Sequence, residues 1–284
     1  MRYCVIICFS FFMTQMYSQE KKAYQIFSGD SIINYGQMFD SLKSADIILF
    51  GELHDNPICH WLQLELLQDL STERSLIVGM EMIERDNQEH FALYMSDSIT
   101  HEELDSNMRL WNNYLTDYKP LIDAAKQRGI PVFGTNIPRR FASQVYKHGV
   151  ESLDSLSAYE KSWIAPLPFP YDKDLPGYKK MMDMFDDPAH ANENLPKAQA
   201  LKDATMAHFI LFHSEPDHTF LHLNGSYHSD HYEGIVWYLK KSQPSLRIVT
   251  ISAKEQQSIS GIESEHEGIA DYLIVIPVSM TKTY

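Results

Sequence analysis

The sequence of 284 residues is short of cysteine, of basic side chains and of long apolar runs, and each shortage excludes something. Its cysteines are Cys4, Cys8 and Cys59, and the first two lie in or beside an N-terminal apolar stretch. Without that stretch Cys59 stands alone, so no intramolecular disulfide framework is available, even in an oxidising compartment. Lysine and arginine number 24 against 38 aspartates and glutamates, a formal charge of −14. This balance argues against nucleic acid or an anionic membrane surface as the main partner. The apolar run Tyr3 to Met13 falls short of the roughly 20 residues that a spanning helix needs. Several familiar motifs are missing too. There is no Walker A loop and no Gly-x-Gly-x-x-Gly. His101-Glu102-Glu103 lacks the second histidine of a zinc-protease helix, and Gly225-Ser226-Tyr227 lacks the closing glycine of a nucleophile elbow.

What is present is an ordinary globular composition, 44% hydrophobic and 22% charged, with 13 histidines and 16 tyrosines that leave metal or cofactor chemistry open. Met1-Arg2 followed by Tyr3 to Met13 reads as a secretory signal ending near Ser18. The expectation is an exported protein, periplasmic or outer-membrane-associated, with residues 19–284 as a single α/β domain. Cys4 and Cys8 precede the cut, so neither is placed for lipid attachment.

Short apolar runs alternate with helical periodicity along the rest of the chain. Strands are expected at Ala45 to Glu52, Ser75 to Glu81, Ile130 to Asn136, Thr219 to Asn224, Arg247 to Ser252 and Asp271 to Ile276. Helices are expected at Ile58 to Leu70, Asn87 to Met95, Pro120 to Arg128, Pro138 to Tyr146, Ala198 to His213 and Gly234 to Lys240. Such alternation predicts an α/β fold, a mostly parallel sheet with helices on both faces. Residues 164–196 differ, because six prolines punctuate them around one short helical candidate, Tyr178 to Phe185. They read as a Pro-rich helical insertion, a lid, binding or interface element.

Residues able to do chemistry fall at strand ends: Glu52 and His54 after the first, Glu81 after the second, Asn136 and Arg139 after the third, His228 and His231 after the fourth. Carboxyl ends of parallel strands share one edge, where ligands of open α/β sheets bind. Glu52, His54, Glu81 and His228 could hold a divalent metal ion there, or could position and activate water. Taken singly, each is as readily a helix cap or a solvated loop residue. His228 and His231 share a face only if the loop has begun a helix.

The segments ILFGELHDNPICHWLQ, VGMEM, PLIDAAKQRGIPVFGTNIPRR, KDATMAHFI and LHLNGSYHSDHYEGI together resemble the ChaN-like haem-binding uptake family of the Tiki superfamily. The resemblance runs in order from about Ala45 to Ile276. It implies an α/β fold and a Gly-x-x-His motif, here Gly51 to His54. It also implies that Glu52, His54, Glu81, His228 and His231 match positions that serve catalysis in related proteases and erythromycin esterases. The ChaN-like branch implies iron-regulated surface or periplasmic proteins in which a tyrosine ligates haem iron and two haems stack between the copies of a homodimer. Contact with outer-membrane uptake machinery follows as a further expectation.

A haem slot needs apolar walls, an axial ligand and donors for the propionates. Tyr171, Tyr178 and Tyr227 are the ligand candidates, with Arg139 for a propionate and His190 nearby. Phe169, Met181, Met182, Met184 and Phe185 are wall candidates, or simply the core face of a short helix. The alternative function is a metal-dependent hydrolase, a peptidase or esterase, using Glu52, His54, Glu81, His228 and His231.

Overall fold

Alternate residues of the run Ile47 to Phe50 serve two different cores. Ile48 and Phe50 pack with Leu62, Leu66 and Leu121, whereas Ile47 and Leu49 pack with Ala204, Ile210 and Leu239. A strand buried on both faces has to read as a continuous apolar run, and this one does. The computed structural model describes residues 21–183 and 192–284. The signal reading of residues 1–18 and the candidates Met184, Phe185 and His190 lie outside them.

In chain order the elements are β1 (Gln25–Ser28), β2 (Ser31–Ile33), α1 (Tyr35–Leu42), β3 (Ile47–Glu52), α2 (Pro57–Glu73), β4 (Ser75–Glu84), α3 (Gln88–Met95) and α4 (His101–Asn107). A π-helical turn (Tyr114–Tyr118) leads into α5 (Lys119–Gln127), β5 (Val132–Asn136), α6 (Arg139–His148) and α7 (Ala158–Lys161). The insertion supplies α8 (Pro176–Met182), and α9 (Asn194–His213), β6 (His218–Gly225), α10 (Ile235–Ser242), β7 (Ile248–Gln256) and β8 (Tyr272–Pro277) complete the chain. One sheet holds the strands in the order β2-β1-β8-β7-β3-β6-β4-β5. The pairs from β8 to β5 are all parallel, and β1 adds antiparallel to β8.

The six expected strands are all present, and the hairpin β1–β2 and α1 are additions. Local chemistry explains the helix starts. Asn56 accepts from the Ile58 N–H with Pro57 in the first turn of α2, and Thr100 with Glu103 forms a capping box on α4. His101 and Glu102 are therefore the start of a capped helix. Helix α9 is buried nearly all round, packing on α6, α8 and α10. Cys59 is fully buried and burial pushes its thiol pKa up, which makes it an unreactive core group.

β3 and β6 are neighbours whose outgoing connections run in opposite directions, from β3 to β4 and from β6 to β7. The crevice of such a sheet therefore opens at the end of β3. Gly51 is required there by packing. A Cβ on it would sit 2.8 Å from Ser226 Cα and 3.1 Å from the Ile251 carbonyl oxygen. Both are backbone atoms that cannot swing aside. Gly51→Ala is expected to cost about 1–3 kcal/mol of stability, measured by urea unfolding; an unchanged midpoint would show that the turn after β6 yields freely.

Candidate functional site

A cleft of about 1070 Å³ opens at the carboxyl edge of the sheet. Register brings its floor together, because Glu52 at the end of β3 lies beside Gly225 at the end of β6. Glu81 enters from β4, and α9 passes Asp203 in from behind. Two hydrogen-bonded sets of ionisable groups result.

The first set is built on Glu52, only 2% exposed. Its Oε1 accepts from the Tyr118 hydroxyl at 2.6 Å and from His54 Nδ1 at 2.8 Å, and its Oε2 accepts from Gln63 Nε2 at 2.5 Å. His60 packs behind, 3.3 Å from Asp117 and edge-on to Tyr118. Asn113 donates to the His54 carbonyl at 2.8 Å and to Asp117 at 2.7 Å. A buried carboxylate with three donors is a satisfied one. Burial first, and then the Glu52 charge, push the Tyr118 pKa far up, so the phenol stays protonated and donates. His54 turns Nε2 towards Gly225, where a Cβ would lie 2.6 Å from it. The glycine is what lets this imidazole approach.

The second set is built on His228. Nε2 lies 3.1 Å from Glu81 Oε1 and Nδ1 lies 2.5 Å from Asp203 Oδ1, all three groups being buried. Glu81 also accepts from the Gly225 N–H at 2.7 Å, and Asp203 accepts from the Tyr178 hydroxyl at 2.8 Å. Burial opposes charge on His228, but the two carboxylates outweigh it and raise its pKa to about 10. Burial likewise opposes charge on Glu81, and the His228 and His54 charges hold its carboxyl well below the usual range. His228 is thereby held as an imidazolium at neutral pH, with Glu81 as its charged partner. Burial lowers and the Glu52 and Glu81 charges raise the His54 pKa, with a net upward shift. These groups could hold a proton at His54 Nε2 above the floor and orient a water between His54 and Glu81.

The rim has the opposite character. Arg109, Arg139, Lys147 and Lys202 border the cleft, as do Trp111, Tyr146, Tyr227 and Tyr284. On α6, Arg139, Ser143, Tyr146 and Lys147 are spaced i, i+4, i+7 and i+8 and form one helix face along the wall.

The family model described as haem-binding uptake, Tiki superfamily, ChaN, matches residues 38–239. The chain belongs to this family. Its ChaN-like fold is matched in turn by the structure of ChaN of Campylobacter jejuni with cofacial haem, at a TM-score of 0.68 and 20% identity, covering 91% of this chain and 98% of that one. More distant matches are the type III effector HopBA1, at 0.47 and 14% over 86% and 92% of the two chains, and the toxin effector domain RRSP of Vibrio vulnificus, at 0.46 and 12% over 87% and 39%. A comparison with curated sequences gives no match.

On this ChaN-like frame, Glu52, His54, Glu81, His228 and Arg139 share the cleft. His231 lies apart from it. Asp230 is tied to Ser252 at 2.6 Å and to Lys254, and His231 follows in a left-handed conformation (φ 58°), so the chain turns away after His228. His231 lines a second recess instead. Among the described residues, Glu263, Glu265 and His266 form the group of potential metal ligands whose atoms all lie within 4.8 Å of one another, and it lies outside the cleft. The cleft histidines and carboxylates are paired with each other.

The three tyrosine candidates divide. Tyr178 is buried with its hydroxyl on Asp203, and Tyr171 stacks on it at 5.7 Å, so both lie behind the wall. Tyr227 does line the cleft, donating to the Gly177 carbonyl at 2.7 Å, and burial pushes its pKa to about 12. Sequence reasoning missed Asp203, Tyr118, Gln63 and Tyr146. For Asp203 the signal was an acid inside the apolar helix ALKDATMAHFI. For Tyr146 it was the helical spacing from Arg139.

Proposed function

We propose that this chain is an exported haem-binding protein of iron or haem uptake, with the haem held in the cleft at the carboxyl edge of the sheet. The α6 face carries the proposal, since it sets two cations and a phenol along one wall of a cleft in an otherwise acidic protein. The volume of about 1070 Å³ suits a large planar ligand, as drug-sized ligands fill about 300–1,000 Å³. Arg109, Arg139, Lys147 and Lys202 would hold the propionates, and Trp111, Leu110 and Ile137 would meet the ring. Tyr146 would supply a phenolic oxygen to hold the iron. Tyr227 is less suited, because its hydroxyl is already committed to Gly177 and burial opposes its ionisation. Bound haem would bring redox-active iron, whose potential and access the cleft walls set. Cofacial haem is known from the ChaN of Campylobacter jejuni. A matching pair of haems between two copies is proposed for this chain.

A haem titration followed by the Soret band tests the ligand. The native protein is expected to shift the band, Tyr146→Phe to lose the shift, and Tyr227→Phe and Tyr284→Phe to retain it. Sedimentation with and without haem would show a doubling of mass. No Soret change in the native protein rejects the haem reading, and a native-like Tyr146→Phe rejects that ligand.

The paired sets on the floor favour a second reading, hydrolysis of a peptide or ester, with Glu81 or Glu52 as general base. In that case Glu81→Gln would abolish cleavage of a peptide and ester panel while leaving the Soret shift intact. No cleavage by the native protein, with or without added divalent metal, removes this reading.

A further inference from the structure

The turn following β7 contains a group that neither the cleft nor its haem reading uses. Glu263, Glu265 and His266 each direct one potential ligand atom into a space where all three lie within 4.8 Å of one another. The histidine's tautomer is set from behind. Gln256 is 1% exposed at the end of β7, and its Nε2 donates to the Gly261 carbonyl at 2.9 Å and the Ser258 carbonyl at 3.1 Å. With both amide hydrogens used, Gln256 Oε1 only accepts. It takes the Glu263 N–H at 3.1 Å and His266 Nδ1 at 2.9 Å. Nδ1 therefore carries a hydrogen, and a neutral imidazole presents its Nε2 lone pair on the other side.

That lone pair faces Glu265, whose Oε1 is 3.7 Å from Nε2. The carboxylate of Glu263 closes on the same space. With Nε2 unprotonated, three acceptors surround one space, which either a divalent cation or a proton on Nε2 would satisfy, and a zinc titration separates the two. A histidine that donates its second ring N–H to a carbonyl-type oxygen has the orientation found behind metal-ligating imidazoles. Glu265 and His266 also line a recess of about 400 Å³ that His231 shares. One imidazole with two carboxylates, and a second imidazole at the same recess, suits a divalent first-row transition ion with nitrogen and oxygen ligands.

We propose that Glu263, Glu265 and His266 form a divalent transition-metal site, separate from the cleft, with His231 as a further imidazole at its edge. Zinc chloride is the probe. Titration calorimetry on the full chain free of any histidine tag, with metal analysis after dialysis, is expected to give one zinc at this site. Glu265→Gln and His266→Ala should each weaken uptake at least about tenfold, and Gln256→Leu by roughly 10–100-fold through loss of the orienting bond. Glu265 has a side chain 74% exposed, so its replacement leaves folding intact and the result interpretable. The cleft variant Glu81→Gln should bind zinc as the native chain does. Three outcomes overturn the assignment: no zinc taken up by the native chain, native affinity in both Glu265→Gln and His266→Ala, or loss of zinc in Glu81→Gln alone. The second would mean that His266 and Glu265 simply share a proton, and the third that zinc binds in the cleft.

Discussion

Asp203→Ala is expected to lower the unfolding free energy by about 3–5 kcal/mol, among the largest effects of any single replacement in this chain. The side chain is 1% exposed and contacts His228 Nδ1 at 2.5 Å and the Tyr178 hydroxyl at 2.8 Å; the Gln199 amide, 3.0 Å from the same Nδ1, carries no charge to replace it. Removing it leaves a buried imidazole with Glu81 as its remaining carboxylate, and strands a buried phenol. Asp203→Asn should cost less, because the amide keeps the volume and can still accept from Tyr178. Both replacements should also change the pH dependence, and the sign follows from the shifts. His228 has a folded pKa of about 10 against an ordinary 6.5, so its stabilisation is complete below about 6.5 and is lost as pH rises towards 10. His54 is shifted in the same direction. Other groups govern the acid side. Glu81 is held low, so its stabilisation is lost as pH falls through and below the usual carboxylate range. Burial pushes His222 and His213 down to about 4, so these lose stabilisation as pH falls from 6.5 towards 4. The limb from pH 7 to 9.5 therefore reports His228 and His54. Urea midpoints across that limb should fall steeply for the native chain and much less for the Asp203 variants. Parallel slopes would mean that Asp203 does not hold the proton on His228.

The part of the fold that was readable in the sequence is the part buried on both faces. Ile47 to Phe50 and Leu273 to Ile276 must be apolar at every position, so their runs announce parallel strands. The hairpin β1–β2 is three or four residues per strand and partly exposed on β2, and too little periodicity survives in such a length to be seen. The floor of the cleft was readable for a different reason. Glu52 ends β3, Glu81 comes just after the last β4 residue paired with β6, and His228 lies three residues past β6, so topology brings these distant residues together. Their partners were not readable, since Asp203 reaches His228 only through the docking of α9, and Tyr118 reaches Glu52 only through the π-helical turn. His231 shows the limit of spacing arguments. Three residues from His228 means a shared face in a helix, and the left-handed turn at His231 cancels it. Tyr146 was not readable because only the packing of α6 brings it, with Arg139 and Lys147, to the cleft wall.

Charge reversal on that wall is the second large effect expected. Arg139→Glu and Lys147→Glu should each weaken haem binding by roughly tenfold or more, since a hydrogen bond to a charged partner is worth about 1.5–3 kcal/mol and about 1.4 kcal/mol is tenfold. The two positions are eight residues apart on one helix, about 12 Å along its axis, far enough for their effects to add. The double variant should therefore lose roughly a hundredfold. Both side chains are exposed, so salt screens them. The native affinity should fall with ionic strength more steeply than that of the double variant, which keeps only Arg109 and Lys202 at the rim. Net charge alone would give a similar trend for any anionic ligand, which calls for a control away from the cleft. Lys241→Glu on α10, where the lysine lies 4.9 Å from the Trp237 ring, makes the same change in charge and should leave haem affinity as it was. An equal loss in Lys241→Glu would reduce the effect to general repulsion. Native affinity in the double variant would place the haem elsewhere, and Tyr146 would lose its role along with its neighbours.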